Sequence, residues 1–77
     1  MVSYKPLFKL LVDRNMSKAD LRRAAEISPN TMTKLRRGEE VSMTILNRIC
    51  AALGVSYGDI IEYIPENAER KATKQEA

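Results

Sequence analysis

Two short helical segments joined by three residues constrain the fold of this chain more than any other feature of its sequence. The first segment begins at Ser17, and the second follows Ser28 and ends at Gly38. A link of only Glu26, Ile27 and Ser28 is too short to return the second helix antiparallel over the first. The two helices must cross at a steep angle, which leaves one face of the second helix exposed.

Helix start and stop signals continue along the rest of the chain. Ser17 followed by Asp20 is an acidic variant of the capping box, and Gly38 and Gly54 supply left-handed helix ends. Apolar residues recur at three- and four-residue steps between these signals, and no strand pattern competes with them. The sequence predicts an all-α, compact five-helix bundle, with helices beginning at or near Pro6, Ser17, Pro29, Ser42 and Ser56.

The apolar steps also predict which side of each helix faces the core. Apolar residues make up 44% of the chain and aromatic residues only 5%, which favours aliphatic helix packing over a small β-barrel. Cys50 is expected to be a small buried hydrophobe rather than a redox sensor. The predicted inner positions are Leu7, Phe8, Leu11, Val12, Leu21, Ala24, Ala25, Met32, Leu35, Met43, Leu46, Ile49, Cys50, Leu53, Ile60, Ile61 and Ile64.

A chain of 77 residues has room for one core, which we assign to residues 1–65. Residues 66–77 are polar, carry no net charge and show no periodicity, so we expect a disordered tail. No apolar run approaches the ~18 residues of a membrane span and no signal peptide is evident, so a cytoplasmic location without membrane association is expected.

Missing residue types exclude several classes of function. The chain has no histidine, one cysteine and three glycines. Sites that need a histidine ligand or a histidine base, and glycine-rich phosphate loops, therefore cannot be built. The sequence predicts neither an enzyme nor a metal, cofactor or small-molecule site.

Positive charge is concentrated in the central segment. Residues 18–37 hold six basic and two acidic side chains, whereas the rest of the chain sums to −1. If Met32 and Leu35 face the core, steps of about 100° per residue place Asn30, Thr33, Lys34 and Arg37 on the outward face of the helix. Side chains of these types suit base edges and phosphates, so the pattern favours nucleic-acid binding over a merely solvated helix.

The order of these motifs resembles the Cro and phage-repressor (lambda-repressor-like) family of helix-turn-helix domains. Residues 16–21, 27–32 and 34–38 read MSKADL, ISPNTM and KLRRG, and residues 41–55 are similar to the family's fourth helix. The resemblance implies a five-helix bundle whose third helix enters the major groove of double-stranded DNA. It also implies that Asn30 and Lys34 reach bases with Thr33 nearby, and that Lys18 touches phosphate.

The candidate DNA-binding residues fall into two groups. Asn30, Thr33 and Lys34 are expected at base edges, although Asn30 could instead only support the start of its helix. Arg22 and Arg23 are as compatible with plain solvation as with phosphate contact. The expected backbone contacts are Lys18, Arg22, Arg23, Ser28, Thr31 and Arg37.

This chain departs from the family pattern at the turn and at the start of helix three. Glu26 stands where relatives usually have glycine, so we expect it to adopt a positive φ. Arg22 replaces a small alanine beneath helix three, and Pro29 replaces a polar base-contacting residue. The following loop is acidic at Glu39 and Glu40.

The end of the predicted bundle has more apolar residues than one short helix needs. They either close the core or form a homodimer interface, and the two-fold symmetry of palindromic sites favours the interface. The candidate dimer residues are Tyr57, Ile60, Ile61, Tyr63 and Ile64.

Two functions remain open at this point. One is a sequence-specific transcriptional regulator, most simply a repressor, and the other is a protein-interaction module such as the antitoxin component of a pair. RNA binding ranks below both, because the few aromatic side chains occupy apparent core or dimer positions.

Overall fold

The computed structural model describes residues 1–65. The predicted tail at 66–77 therefore lies outside the described residues. Four α-helices, a single turn of 3-10 helix at Tyr57–Asp59 and a two-stranded antiparallel sheet make up the fold. In chain order the strands and α-helices are β1 (Val2–Ser3), α1 (Lys5–Asp13), α2 (Lys18–Ala25), α3 (Pro29–Arg37), α4 (Met43–Leu53) and β2 (Glu62–Tyr63).

Serine caps fix the starts of the central helices as the sequence predicted. The Ser17 hydroxyl accepts from the Asp20 backbone N–H at 3.0 Å, and the Asp20 carboxylate accepts from the Ser17 backbone N–H at 2.9 Å. Ser28 and Ser42 cap α3 and α4 by accepting from the backbone N–H three residues on. These bonds satisfy donors that a helix start otherwise leaves unpaired.

The core lies where α1, α2, α3 and α4 meet, with Ile60 closing its open end. Five of its side chains are fully or almost fully buried, which is enough to hold the short helices at fixed angles. They are Leu7, Leu21, Leu35, Ile49 and Ile60.

The prediction of a fifth α-helix was wrong. After the 3-10 turn the chain extends into β2, which pairs with β1 so that Val2 lies opposite Tyr63. The Ser56 backbone N–H donates to the Asp59 carboxylate at 2.9 Å, as the predicted capping pair requires, but only one turn of 3-10 helix follows, and the strand consists of Glu62 and Tyr63. Gly58 and the β-branched residues Ile60 and Ile61 disfavour continuation of the helix. A sheet of two residues per strand leaves no alternation long enough to recognise in sequence.

Three predicted inner positions were also wrong. Val12 is 74% exposed and Met43 is 56% exposed, and Ala24 is exposed as well. Each of the three lies at least about 80° around its helix from the centre of the buried face. Val12, for example, lies one residue beyond buried Leu11, and Phe8 and Leu10 already occupy the flanks of that face.

Among the described residues, no helix combines the length and the apolar character that crossing a membrane requires.

Candidate nucleic-acid interface

The turn between α2 and α3 is fixed by backbone geometry and by one arginine. Glu26 ends α2 in the left-handed region, with φ 56° and ψ 48°, which confirms the predicted positive φ. The Arg48 guanidinium on α4 donates to the Glu26 carbonyl at 3.1 Å, and Ile27 is buried in the core. A cation at a helix C-terminus also complements the helix dipole. The turn between α2 and α3 is therefore held by the Arg48 hydrogen bond and by burial of Ile27.

Helix α3 is anchored along one side and open along the other. Met32 and Leu35 are buried, whereas Asn30 and Lys34 are exposed one turn apart. Gly38 ends the helix in the left-handed region at φ 76°. The outward face carries no acidic side chain, which suits contact with a polyanion.

The side chains of Ser28 and Thr31 bond to each other at the start of α3. The Ser28 hydroxyl donates to the Thr31 hydroxyl at 3.0 Å and accepts from the Thr31 backbone N–H at 3.1 Å. Both residues thus stabilise the first turn of the helix. The Thr31 hydroxyl keeps its own proton for a further acceptor, such as a phosphate oxygen.

Thr33 presents its methyl group more than its hydroxyl. Its hydroxyl donates to the Pro29 carbonyl at 3.1 Å and accepts from the Arg36 guanidinium at 3.4 Å. With the proton committed to the helix backbone, the hydroxyl has no donor left for a base edge. The exposed chemistry of this predicted base-contacting residue is therefore apolar.

The predicted backbone contacts do not all lie together. Lys18 and Arg22 line the same cleft as Thr33, between α2 and α3. Arg23 instead bonds to Asp20 at 2.7 Å, and Arg37 lies 3.7 Å from Glu39. Both pairs are solvent-exposed, so neither contributes much to stability. Arg23 and Arg37 are nevertheless partly neutralised, whereas Lys18 and Arg22 form no salt bridge within residues 1–65.

The Lys18 side chain is oriented by an aromatic ring. Its ammonium group lies 5.2 Å from the centroid of the Phe8 ring, a cation–π distance. The ring belongs to α1, so a contact with that helix limits the freedom of the charge at the start of α2.

Arg36 is a basic residue of this surface that the sequence reasoning missed. Its helical position lies close to the inner stripe of α3, so it was not assigned to the outward face. In the structure its side chain turns toward Thr33 and lines the cleft with Lys18 and Arg22. The spacing of Thr33 and Arg36, three residues apart on one helix, is the signal that could have found it.

The pKa values of Asp20, in the first turn of α2, and of Cys50, on α4, are shifted from their ordinary values. The Ser17 backbone N–H, followed by the Ser17 hydroxyl and the Arg23 charge, holds the pKa of the Asp20 carboxyl below its usual value. On α4, burial raises the pKa of the Cys50 thiol, and the Asp59 charge adds to that effect. Cys50 is half-buried against the core, so it is a less reactive thiol than a free cysteine.

The five candidate dimer residues separate into core and surface. Ile60 has no exposed surface and belongs to the core of the monomer, so its assignment to a dimer interface is corrected. Tyr63 is 74% exposed and Tyr57 is 42% exposed, and the Tyr57 hydroxyl donates to the Asn47 side-chain oxygen. Ile61 and Ile64 are half-buried beside β2. Four of the five residues thus keep some accessible surface.

Comparison with known proteins places this arrangement in a family. Residues 7–66 match the model of the Cro/C1-type HTH DNA-binding domain. The fold is also similar to the crystal structure of the transcriptional regulator VanUg, with a TM-score of 0.81 and 51% sequence identity over 84% of this chain and 87% of that one. No curated protein matches the sequence. The match to the family model spans most of the chain, including both helices of the turn and the helix that anchors it, and the chain therefore belongs to the Cro/C1-type helix-turn-helix DNA-binding family.

Proposed function

We propose that this protein is a sequence-specific transcriptional regulator that reads the major groove of double-stranded DNA with α3. The observation that carries the proposal is the pair Asn30 and Lys34, exposed one turn apart on a helix whose opposite face is buried. Asparagine pairs bidentately with adenine, and lysine donates to guanine. Repression by occupying a promoter is the action we propose, since it asks nothing of the domain beyond binding.

Thr33 adds a third contact of a different kind. With its hydroxyl bonded to the Pro29 carbonyl, the side chain has its methyl group left to offer to a base. A thymine methyl is the base feature that such an apolar surface recognises. We therefore propose that Asn30 and Lys34 bond to base edges while Thr33 contacts a thymine methyl.

The domain is proposed to act as a homodimer through the accessible residues around β2. Tyr63 and Tyr57 are large exposed side chains of that region, and Ile61 and Ile64 are half-buried there. Two-fold pairing would present two copies of α3 to half-sites about 10 base pairs apart, one turn of DNA. Light scattering of the free protein and of its DNA complex measures the assembly.

The test begins with selection of bound sites from random duplex DNA. Asn30→Ala and Lys34→Ala should each flatten the preference at one position per half-site, since a bidentate contact discriminates by about 1–3 kcal/mol. Lys18→Ala should weaken all duplexes alike and make the salt slope shallower without changing the base preference. Lys9→Ala, an exposed lysine on α1, is the matched control and should bind as the parent does.

Two results would contradict the proposal. If the parent protein binds no duplex even at low salt, the domain is not a DNA reader and a protein-interaction role replaces it. If the Asn30 and Lys34 variants keep the full preference of the parent, then α3 does not read the sequence.

A further inference from the structure

A cleft of about 260 Å³ lies between α2 and α3, and it is lined by the first two turns of α2 and by one side of α3 along most of its length. Three cationic side chains line it, Lys18 and Arg22 from α2 and Arg36 from α3, and no acidic side chain of residues 1–65 does. Its apolar wall includes Pro29 and Met32. A water molecule occupies about 30 Å³ in the liquid, so the cleft can admit a group the size of a phosphate.

Like charges that converge on one cleft repel each other unless an anion lies between them. Within residues 1–65, neither Lys18, Arg22 nor Arg36 forms a salt bridge. Asp20 and Glu39, the acids nearest in sequence, are paired with Arg23 and Arg37 instead. The positive charge of the cleft is therefore left without a partner from the described part of the chain.

Two contacts limit the freedom of these cations. Arg36 donates to the Thr33 hydroxyl at 3.4 Å, and Lys18 lies over the Phe8 ring at 5.2 Å. Arg22 is half-buried, which restricts its side chain further. Less conformational entropy is then lost when an anion binds, which distinguishes this cleft from a solvated row of cations.

We propose that this cleft binds a single phosphate of the DNA backbone, with Arg36 as a ligand alongside Lys18 and Arg22. The proposal rests on the proposed function and names the contact that sets the register of α3. Guanidinium groups match phosphate oxygens bidentately, and the lysine acts as a point charge. Because Thr33 bonds to Arg36, the phosphate contact and the thymine-methyl contact are fixed relative to each other.

A single shared phosphate differs measurably from three separate ones. Each neutralised phosphate contributes about 0.9 to the slope of log affinity against log salt. Replacing Lys18, Arg22 and Arg36 together with glutamine should lower that slope by about 0.9 if they share one phosphate, and by about 2.7 if each binds its own. Phosphate contacts carry no base information, so a mixed-sequence duplex serves for this measurement.

The decisive experiment places a neutral methylphosphonate at each position of a selected duplex in turn. Arg36→Gln should weaken binding about tenfold on the unmodified duplex, the range of a lost charge-assisted hydrogen bond. At one position per half-site, the methylphosphonate should weaken the parent by at least as much, because it removes the charge that all three cations share, and it should abolish the difference between parent and variant. Lys9→Gln, the matched control, should bind each duplex as the parent does, and circular dichroism should show that both variants remain folded.

Three outcomes would overturn the proposal. They are a slope change near 2.7 for the triple variant, equal affinity of Arg36→Gln and parent, or a constant difference between them at every modified position. In each case the parent still binds duplex DNA, so the proposed function survives. Failure of the parent to bind any duplex would instead remove both proposals together.

Discussion

Replacing Glu26 with glycine should stabilise the protein. Glu26 adopts φ 56° and ψ 48°, a conformation that crowds its Cβ against the backbone, and it places a negative charge at the C-terminal end of α2. The hydrogen bond from Arg48 goes to the Glu26 backbone carbonyl, so the substitution keeps it. Ile27 stays buried because the left-handed turn is unchanged.

The expected change in the free energy of unfolding is the sum of two stabilising contributions and one destabilising contribution. Relief of backbone strain contributes about 1–2 kcal/mol, and removing a carboxylate from the negative end of the helix dipole adds about 0.3–1 kcal/mol. Glycine gives the unfolded chain more freedom, which costs about 0.4–1 kcal/mol. The sum is a gain between about 0.3 and 2.6 kcal/mol. Since about 1 kcal/mol shifts the midpoint of a domain this size by 4–8 °C, a rise of several degrees is expected.

Thermal unfolding followed by circular dichroism measures the effect, and two variants separate its causes. Glu26→Ala removes the charge but keeps the Cβ, so it should gain only the dipole contribution. Glu26→Asn keeps a Cβ but tolerates the left-handed region, so it should fall between alanine and glycine. A lower midpoint for Glu26→Gly than for Glu26→Ala would refute the strain argument.

Three further predictions follow from burial and from the shifted pKa values. Ile60→Ala should lower the free energy of unfolding by about 2–5 kcal/mol in chemical denaturation, because the side chain is fully buried. Val12→Ala, at an exposed position, should change it by less than about 0.5 kcal/mol, and equal losses would contradict the core assignment. Asp20→Asn should lower stability at neutral pH, and the difference from the parent should vanish as the pH falls through the pKa of Asp20, which lies below its ordinary value; a difference that persists at still lower pH would show another cause. Cys50 should react with iodoacetamide more slowly in the folded protein than in denaturant at pH 8, because burial raises its pKa, and equal rates would contradict this.

The helices of this fold could be predicted where local chemistry decides them. Ser17, Ser28 and Ser42 bond to backbone groups three residues away, and Gly38 and Gly54 adopt the left-handed ends that their lack of a Cβ allows. These signals depend on near neighbours in the chain, so sequence alone contains them. The positive φ of Glu26 was predictable for another reason, since the family resemblance showed which position needs it.

The end of the chain could not be predicted in the same way. Ser56 and Asp59 gave a valid helix start, but the residues that follow pair with a segment about 60 positions earlier. The strand β2 exists because β1 lies beside it, and that proximity is a product of the whole bundle. Ile60 was likewise assigned to an interface because its burial depends on helices elsewhere in the chain.

In the candidate site, too, some features could be predicted from the sequence and others depend on the folded structure. Helical steps placed Asn30 and Lys34 on the outward face, and both are exposed in the structure. The steps could not show that Thr33 uses its hydroxyl internally, nor that Arg36 turns toward the cleft, because both depend on side-chain rotamers. Residue position thus predicted which side chains are accessible, but not which chemical group each of them presents.

The energetics of reading favour two copies of the domain on one site. In the complex that we propose, Asn30 and Lys34 would together supply about 2–6 kcal/mol of discrimination, at about 1–3 kcal/mol for each base contact. A specific site must be favoured over non-specific DNA by about 4–10 kcal/mol, so a single α3 covers only the lower part of that range. Two copies double the discrimination to about 4–12 kcal/mol, which spans it. If the selected DNA contains only one half-site and light scattering shows one protein per duplex, the additional discrimination must have another source. Deformation of the DNA at the Arg36 cleft is the source that should then be tested first.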